Sequence, residues 1–143
     1  MKTLTQIEPL LMKLGSNVSD ASNWIARLDD FSARLKKTIG GTPRRFTREN
    51  AIELLLIAAT VKAGAAPLVA ASYAKSAMTR FKSTGKPSGE WLVFRCGNFT
   101  SSTDANDPDM RALTKKSGRV PLSLVPFGEI IRMVDDLFNR DNV

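Results

Sequence analysis

Apolar residues recur at helical spacing near the start of the chain and predict two short helices. The first covers residues 4–14 and ends at Gly15. Its apolar face consists of Ile7, Leu10, Leu11 and Leu14. The second runs from an N-cap at Ser19 or Asp20 to about Leu28. Its inward face consists of Ala21, Trp24, Ile25 and Leu28. Two short helices joined by a turn that contains glycine have the outline of a helix-turn-helix.

A third helix is expected to begin after Thr47, whose side chain can cap it, and to end at Gly64. Apolar residues occupy nearly all of its faces: Ile52, Leu54, Leu55, Leu56, Ile57, Ala59, Val61 and Ala63. A helix of this kind must be covered on more than one side. Pro67 then opens a fourth helix at its first position, and this helix is expected to extend to about Phe81.

The second half of the chain follows a polar segment rich in Gly, Pro and Ser, residues 83–90, which predicts a linker. The continuous apolar run at residues 91–96 is typical of a buried strand, and residues 97–106 are predicted to form a polar loop. A short helix is expected to start at Asp107 and Pro108 and to reach about residue 116.

The C-terminal segment predicts one more strand and a final helix. Val120, Leu122 and Leu124 alternate with other residues as in a strand, and Pro121 favours an edge position. Pro126 opens the last helix, which has the clearest amphipathic pattern in the chain. Its apolar face consists of Phe127, Ile130, Ile131, Val134, Leu137 and Phe138.

A strongly basic stretch connects the second and third predicted helices. Residues 34–48 read RLKKTIGGTPRRFTR, without an acid, and their basic residues are Arg34, Lys36, Lys37, Arg44, Arg45 and Arg48. Gly40–Gly41 is a hairpin turn signal, and Leu35 with Thr38–Ile39 on one side and Arg45–Phe46 on the other supply strand-like arms. A tight basic hairpin after a helix pair is typical of a wing, a small ribbon whose cations approach phosphates. A solvated hairpin without a ligand has the same pattern.

These elements together predict an α+β fold that is mostly helical. A winged helix-turn-helix domain with a trailing helix is expected over residues 1–82. After the linker, residues 91–143 are expected to form a small αβ lobe that ends in the amphipathic helix and serves dimerisation or an effector role.

The charge of the chain is uneven. The net charge is +7 over 143 residues, and residues 1–48 have nine Lys or Arg against four Asp or Glu. Residues 91–143 have seven of each. An anionic partner such as nucleic acid is therefore expected on the first part of the chain. A solvated basic surface is the alternative explanation.

Several classes of site are excluded by composition. The sequence has no histidine and a single cysteine, Cys96, which rules out an intrachain disulfide, a Cys/His zinc site and Ser-His or Cys-His catalysis. The acids Asp104, Asp107 and Asp109 lack the Gly and the final Glu of a calcium loop. We therefore expect no metal, no cofactor and no enzymatic activity.

The sequence predicts a cytoplasmic protein that does not contact the membrane. No signal peptide is visible at the N-terminus, and the longest apolar stretch, residues 54–61, is too short for a bilayer that needs about 20 residues.

The order of these parts resembles the MerR-type winged helix. The resemblance covers residues 4–80 and rests mainly on Arg45, Phe46, Thr47 and Glu49, followed by the Ile/Leu-rich helix that ends at Gly64. It implies a recognition helix in the major groove of double-stranded DNA over residues 19–27, with a wing over residues 36–45. The implied base readers are Ser19, Ser22, Asn23 and Arg27. The implied phosphate anchors are Lys36, Lys37, Arg44, Arg45 and Arg48.

The sequence departs from this family in two ways. The expected recognition helix is poor in cations and contains Asp20, with Asp29 and Asp30 just after it, so affinity would come mainly from the wing. In the effector region the paired cysteines of the metal sensors are missing, and a compact lobe follows in place of a simple long dimerisation helix. The main hypothesis is a transcriptional regulator that acts as a homodimer, because one short wing domain covers little DNA. An excisionase-like or packaging protein of a phage or mobile element is an alternative. So is a protein-interaction or ligand-sensing module.

Overall fold

A computed structural model describes residues 1–35, 45–85, 91–95, 102–105 and 122–140. The helices in this part of the chain are α1 (Leu4–Lys13), α2 (Val18–Arg27), α3 (Asp29–Arg34), α4 (Arg48–Lys62), α5 (Pro67–Thr84) and α6 (Phe127–Asn139). The strands are β1 (Lys2–Thr3), β2 (Arg45–Phe46), β3 (Trp91–Arg95), β4 (Ser102–Ala105) and β5 (Leu122–Val125). The chain is mostly helical with two small antiparallel sheets, which confirms the predicted α+β class.

Helix α4 lies at the centre of the structure. Thr47 caps it in a reciprocal capping box, in which the Thr47 hydroxyl accepts from the backbone N–H of Asn50 and the Asn50 side chain accepts from the backbone N–H of Thr47. Its residues 51–60 are all buried, and α1, α5 and α6 pack against it. The expectation that this helix is covered on more than one side is confirmed.

The short helix α3 was not predicted from the sequence. Its N-terminal residues Asp29 and Asp30 complement the helix dipole, and Phe31 is fully buried. Arg34, expected in the basic hairpin, is instead the last residue of this helix. Its guanidinium donates to Glu53 Oε1 at 2.7 Å, and its second terminal nitrogen lies 2.7 Å from Glu53 Oε2. The predicted hairpin arm at Leu35 is therefore wrong, because Leu35 ends α3 and is buried in the core.

The two sheets differ in part from the predicted strands. Strand β2 pairs with β1 in antiparallel register, with Lys2 opposite Phe46, and no predicted feature anticipated this partner. In the second sheet the order is β4-β3-β5, which places β5 at the edge as predicted. Strand β4 occupies part of the segment predicted as loop, residues 97–106. It pairs with β3 through backbone hydrogen bonds, which need no apolar side-chain pattern.

Elements from both halves of the chain share one hydrophobic core. The ring of Tyr73 in α5 lies 5.3 Å from that of Phe94 in β3, and the ring of Phe81 lies 6.2 Å from that of Phe127 in α6. Buried residues from α1 to α6 and from β3 and β5 belong to the same cluster. The proposed division into a domain over residues 1–82 and a lobe over 91–143 stays a prediction. Its linker begins later than expected, since α5 continues to Thr84.

Some sequence predictions lie outside the described residues. These are the wing tip with Lys36, Lys37, Thr38–Ile39, Gly40–Gly41 and Arg44, the linker residues 86–90, Cys96, the loop residues 97–101 and 106, the helix from Asp107 and Pro108 to residue 116, and Val120 with Pro121.

The Arg34–Glu53 pair gives a testable prediction about stability. The Glu53 side chain is 3% exposed, so Arg34→Met leaves a buried carboxylate without its cation. Because Arg34 is one-third exposed, we expect a loss of about 2–4 kcal/mol in the free energy of unfolding, measured by urea denaturation. The double variant Arg34→Met/Glu53→Met should recover most of this loss, since no charge is then left buried. Arg27→Met, on an exposed surface, is the control and should change stability by less than about 0.5 kcal/mol. A single variant as stable as the wild type would contradict this role of Arg34.

Candidate nucleic-acid interface

Helix α2 presents a polar face to solvent. Its apolar residues Ala21 and Ile25 are buried, and so is Leu28 at its C-cap. The four residues implied as base readers by the resemblance lie on the exposed side: Ser19, Ser22, Asn23 and Arg27. Their spacing of three, one and four residues places them along one side of the helix. The structure thus brings these four side chains together on one accessible surface, which we call the α2 face.

The turn between α1 and α2 is fixed by local hydrogen bonds. Gly15 adopts a φ of +78°, the left-handed conformation that favours glycine, and ends α1 as predicted. The backbone N–H of Ser16 donates to the carbonyl of Leu11 at 2.9 Å. The N-cap of α2 is Asn17, whose side chain accepts from Asp20 N–H at 2.8 Å, so the predicted caps Ser19 and Asp20 are wrong. Asn17 allows the helix to begin earlier than the sequence pattern suggested.

Residues 36–45, which we call the basic segment, are held at both ends by the core. Leu35 precedes this segment and is 4% exposed, while Phe46 follows it and is fully buried. Arg45 is half-buried and lies opposite Thr3 in the β1–β2 ladder. Of the implied phosphate anchors, Lys36, Lys37 and Arg44 lie outside the described residues. The described residues on either side of the segment are thus fixed in the core or paired in a sheet.

Arg48 has a different role from the one implied by the resemblance. Its Nε donates to Asp135 Oδ1 in α6, and a terminal nitrogen donates to Asp135 Oδ2 at 3.1 Å. The guanidinium also lies over the Phe81 ring, 5.4 Å from its centre. Hydrogen bonding to Asp135 raises the pKa of Arg48 above its usual range. This cation joins α4 to α6, and its implied contact with phosphate stays a prediction.

Of the two acids that follow α2, Asp30 is partly neutralised. Asp30 Oδ2 lies 3.1 Å from Lys75 Nζ and 3.3 Å from an Arg34 terminal nitrogen. The hydrogen bond from Lys75 lowers the pKa of Asp30 below its ordinary value. Asp30 therefore repels an approaching phosphate less than an isolated carboxylate would.

Lys62 was missed as a candidate residue. It is the last residue of α4, and its Cε lies 3.0 Å from the position that a Cβ on Gly15 would occupy. The Lys62 stem thus runs along the turn that precedes α2. No local pattern signals this proximity, because the two residues come together only through the packing of α1 and α2 on α4.

The described residues contain no group of three or more Cys, Asp or Glu side chains arranged to hold a metal ion. None of the helices described is both long enough and apolar enough to cross a membrane.

Comparison with known proteins found no matching family model, no matching curated protein and no matching solved structure. The function of the α2 face therefore has to be argued from its own geometry and charge.

The Arg48–Asp135 pair gives a second prediction. Both side chains are 37% exposed, so Arg48→Ala should lower the free energy of unfolding by only about 1 kcal/mol. Asp135→Asn should have a similar effect, and the double variant should lose less than the sum of the two. Urea denaturation of the four proteins measures the coupling between the two side chains. Fully additive losses would show that the pair does not connect α4 to α6.

Proposed function

We propose that this chain is a DNA-binding regulator of the winged helix-turn-helix type. Helix α2 would lie in the major groove, and the cations of residues 36–45 would contact the phosphate backbone. The observation that carries the proposal is the α2 face: four exposed side chains that can hydrogen-bond to bases, on a helix whose opposite side is fixed in the core. In helix-turn-helix proteins, residues near the N-terminus of the recognition helix contact base edges.

The charge distribution favours different roles for two elements, base selection for α2 and phosphate contact for the basic segment. The α2 face has one cation, Arg27, and the same helix also contains the acid Asp20. This helix can therefore supply only modest electrostatic affinity for DNA. Lys36, Lys37, Arg44 and Arg45 would provide most of the phosphate contacts, because each neutralised phosphate releases counterions. Binding would therefore depend strongly on salt, while base selection would rest on Ser19, Ser22 and Asn23 together with DNA shape.

A homodimer fits the expected size of the interface. A single module of this size buries about 600–1,000 Å² of protein surface on DNA, which limits its specificity. Two copies on adjacent half-sites would double the contacts. The amphipathic helix α6 keeps Leu137 and Phe138 only partly buried, and we propose it as a component of the dimer contact.

The salt dependence of binding tests the role of the basic segment. We expect wild-type protein to bind a random-sequence duplex at low salt, with an affinity that falls steeply as salt rises. Arg44→Ala/Arg45→Ala should reduce the slope of log K against log salt by about 2, since two phosphate contacts are lost. Fluorescence anisotropy with a labelled duplex measures both quantities.

A charge-matched control keeps this experiment specific. Lys82→Ala/Arg140→Ala removes the same charge from exposed positions at the ends of α5 and α6 and should leave the slope nearly unchanged. Arg48→Ala should also leave it unchanged, because its guanidinium is bound to Asp135. Equal slopes for both double variants would mean that net charge, and not the basic segment, governs binding. No binding to any duplex at low salt would refute the proposed function.

The α2 face is tested by sequence selection. Asn23→Ala should lower affinity for a duplex selected in vitro by the wild-type protein by about 1–3 kcal/mol, because an amide that hydrogen-bonds to a base edge is lost. Its affinity for random duplex should remain nearly the same. Ser76→Ala, an exposed position on α5, is the control. An equal loss on selected and random duplex would place Asn23 outside the base-reading surface.

A further inference from the structure

A small cavity lies between the turn that precedes α2 and the C-terminal part of α4. Its volume is about 250 Å³, and it opens to solvent. Ser16 at the turn, Asp20 and Trp24 on α2, and Ala58, Val61 and Lys62 on α4 line it. An engineered cavity of about 150 Å³ accommodates benzene, so this one has room for a somewhat larger molecule. We call it the α2–α4 cavity.

One wall of this cavity contains an unsatisfied polar group. Ser16 is 9% exposed, and its hydroxyl oxygen is buried without a hydrogen-bond partner among the described residues. A buried hydroxyl without a partner is costly, and native structures contain few of them. Rotation about one side-chain bond turns a serine hydroxyl, so a ligand oxygen in the cavity can become its partner.

The cavity also has one cation and one anion that do not neutralise each other. No carboxylate of the described residues lies within ion-pair distance of Lys62, and no cation of those residues lies within that distance of Asp20. The remaining lining is apolar, with Ala58 and Val61 on α4 and the half-buried ring of Trp24 on α2. The walls therefore offer a positive group, a negative group, a hydroxyl and an apolar surface.

We propose that the α2–α4 cavity binds a small zwitterion with an apolar side chain, that is, a free aliphatic α-amino acid. Its carboxylate would pair with Lys62 and accept a hydrogen bond from Ser16, and its ammonium group would pair with Asp20. Its side chain would contact Trp24, Ala58 and Val61. A simple carboxylate would leave Asp20 unpaired near a second negative charge. A simple amine would leave Lys62 unpaired near a second positive charge.

The fluorescence of Trp24 reports occupancy directly. The chain has two tryptophans, so Trp91→Phe leaves Trp24 as the only one. L-Valine and L-leucine are titrated into this variant, together with 4-methylpentanoate and 3-methylbutylamine, which lack the amino and the carboxyl group of leucine. We expect a saturable change with at least one amino acid at a dissociation constant of about 10 mM or lower, given the usual ligand efficiency of small molecules. The two monofunctional compounds should bind at least about tenfold more weakly, because each loses one charged contact.

Three variants in the Trp91→Phe background locate the ligand. Lys62→Met, Asp20→Asn and Ser16→Ala should each weaken amino acid binding about tenfold or more. Lys13→Met removes an exposed cation at the end of α1 that does not line the cavity and should leave the dissociation constant unchanged. Circular dichroism melting curves check that each variant is folded.

Two results would overturn the proposal. One is the lack of a saturable signal with both amino acids in a folded protein. The other is binding that does not recognise the zwitterion. This would be shown if 4-methylpentanoate bound as strongly as the amino acid, or if the Lys62 and Asp20 variants bound the amino acid as strongly as the parent protein.

Occupancy has a consequence for DNA binding that rests on the proposed function. Asp20 and Trp24 belong to the helix proposed to enter the major groove, so a bound amino acid would connect that helix to α4. Coupling between two ligands is reciprocal, and DNA affinity should therefore change when the amino acid is present at saturation. Because the fluorescence titration needs no DNA, failure of the ligand site and failure of DNA binding are distinguished from each other.

Discussion

The burial of α4 along ten consecutive residues is the constraint on which the rest of the structure depends. An apolar stretch of this length removes a large area from water only if neighbours cover every side of the helix. Helices α1, α5 and α6 provide that cover, and strand β5 of the second sheet approaches the same helix. The Ser123 hydroxyl donates to the carbonyl of Ala63 at the C-terminal end of α4 and satisfies a group that the helix leaves free. The single shared core follows from this requirement.

The buried stretch of α4 includes one charge, Glu53, and this charge decides where the basic segment begins. A carboxylate on a side chain that is 3% exposed requires a cation, and Arg34 supplies it from the end of α3. The pair fixes the chain just before residue 36, while the Thr47 cap and the β1–β2 ladder fix it just after residue 44. Both ends of the basic segment are thus attached to α4. Arg34 binds Glu53 of this helix on one side, and Thr47 caps the helix on the other.

Local sequence patterns were enough to predict the elements whose apolar faces and caps come from neighbouring residues. Helices α1, α2, α4, α5 and α6 and strand β3 have periodic apolar faces, caps or an N-terminal proline that a short window of sequence reveals. Helix α3 has only six residues and depends on Phe31 in the core and on Glu53 from another helix. The β1–β2 pairing, strand β4 and the Arg48–Asp135 bond likewise join residues far apart in the chain. The four residues of the α2 face were implied by the family resemblance, whereas no local pattern indicated that Lys62 lies beside Gly15.

The arrangement of charge around α4 separates structural cations from available ones. Arg34 and Arg48, at either side of the basic segment, are held by Glu53 and Asp135, and these bonds raise the pKa of both guanidinium groups. Their charge is largely offset within the protein, so they add little to a field that attracts an anion. Lys62, at the opposite end of the same helix, contributes its charge to the α2–α4 cavity. Phe46 and Thr47, which follow the basic segment, adjoin the N-terminal end of α4, whereas the α2–α4 cavity lies at its C-terminal part. Coupling between the proposed DNA contacts and the proposed amino acid site would therefore run along α4 or through the helices packed on it.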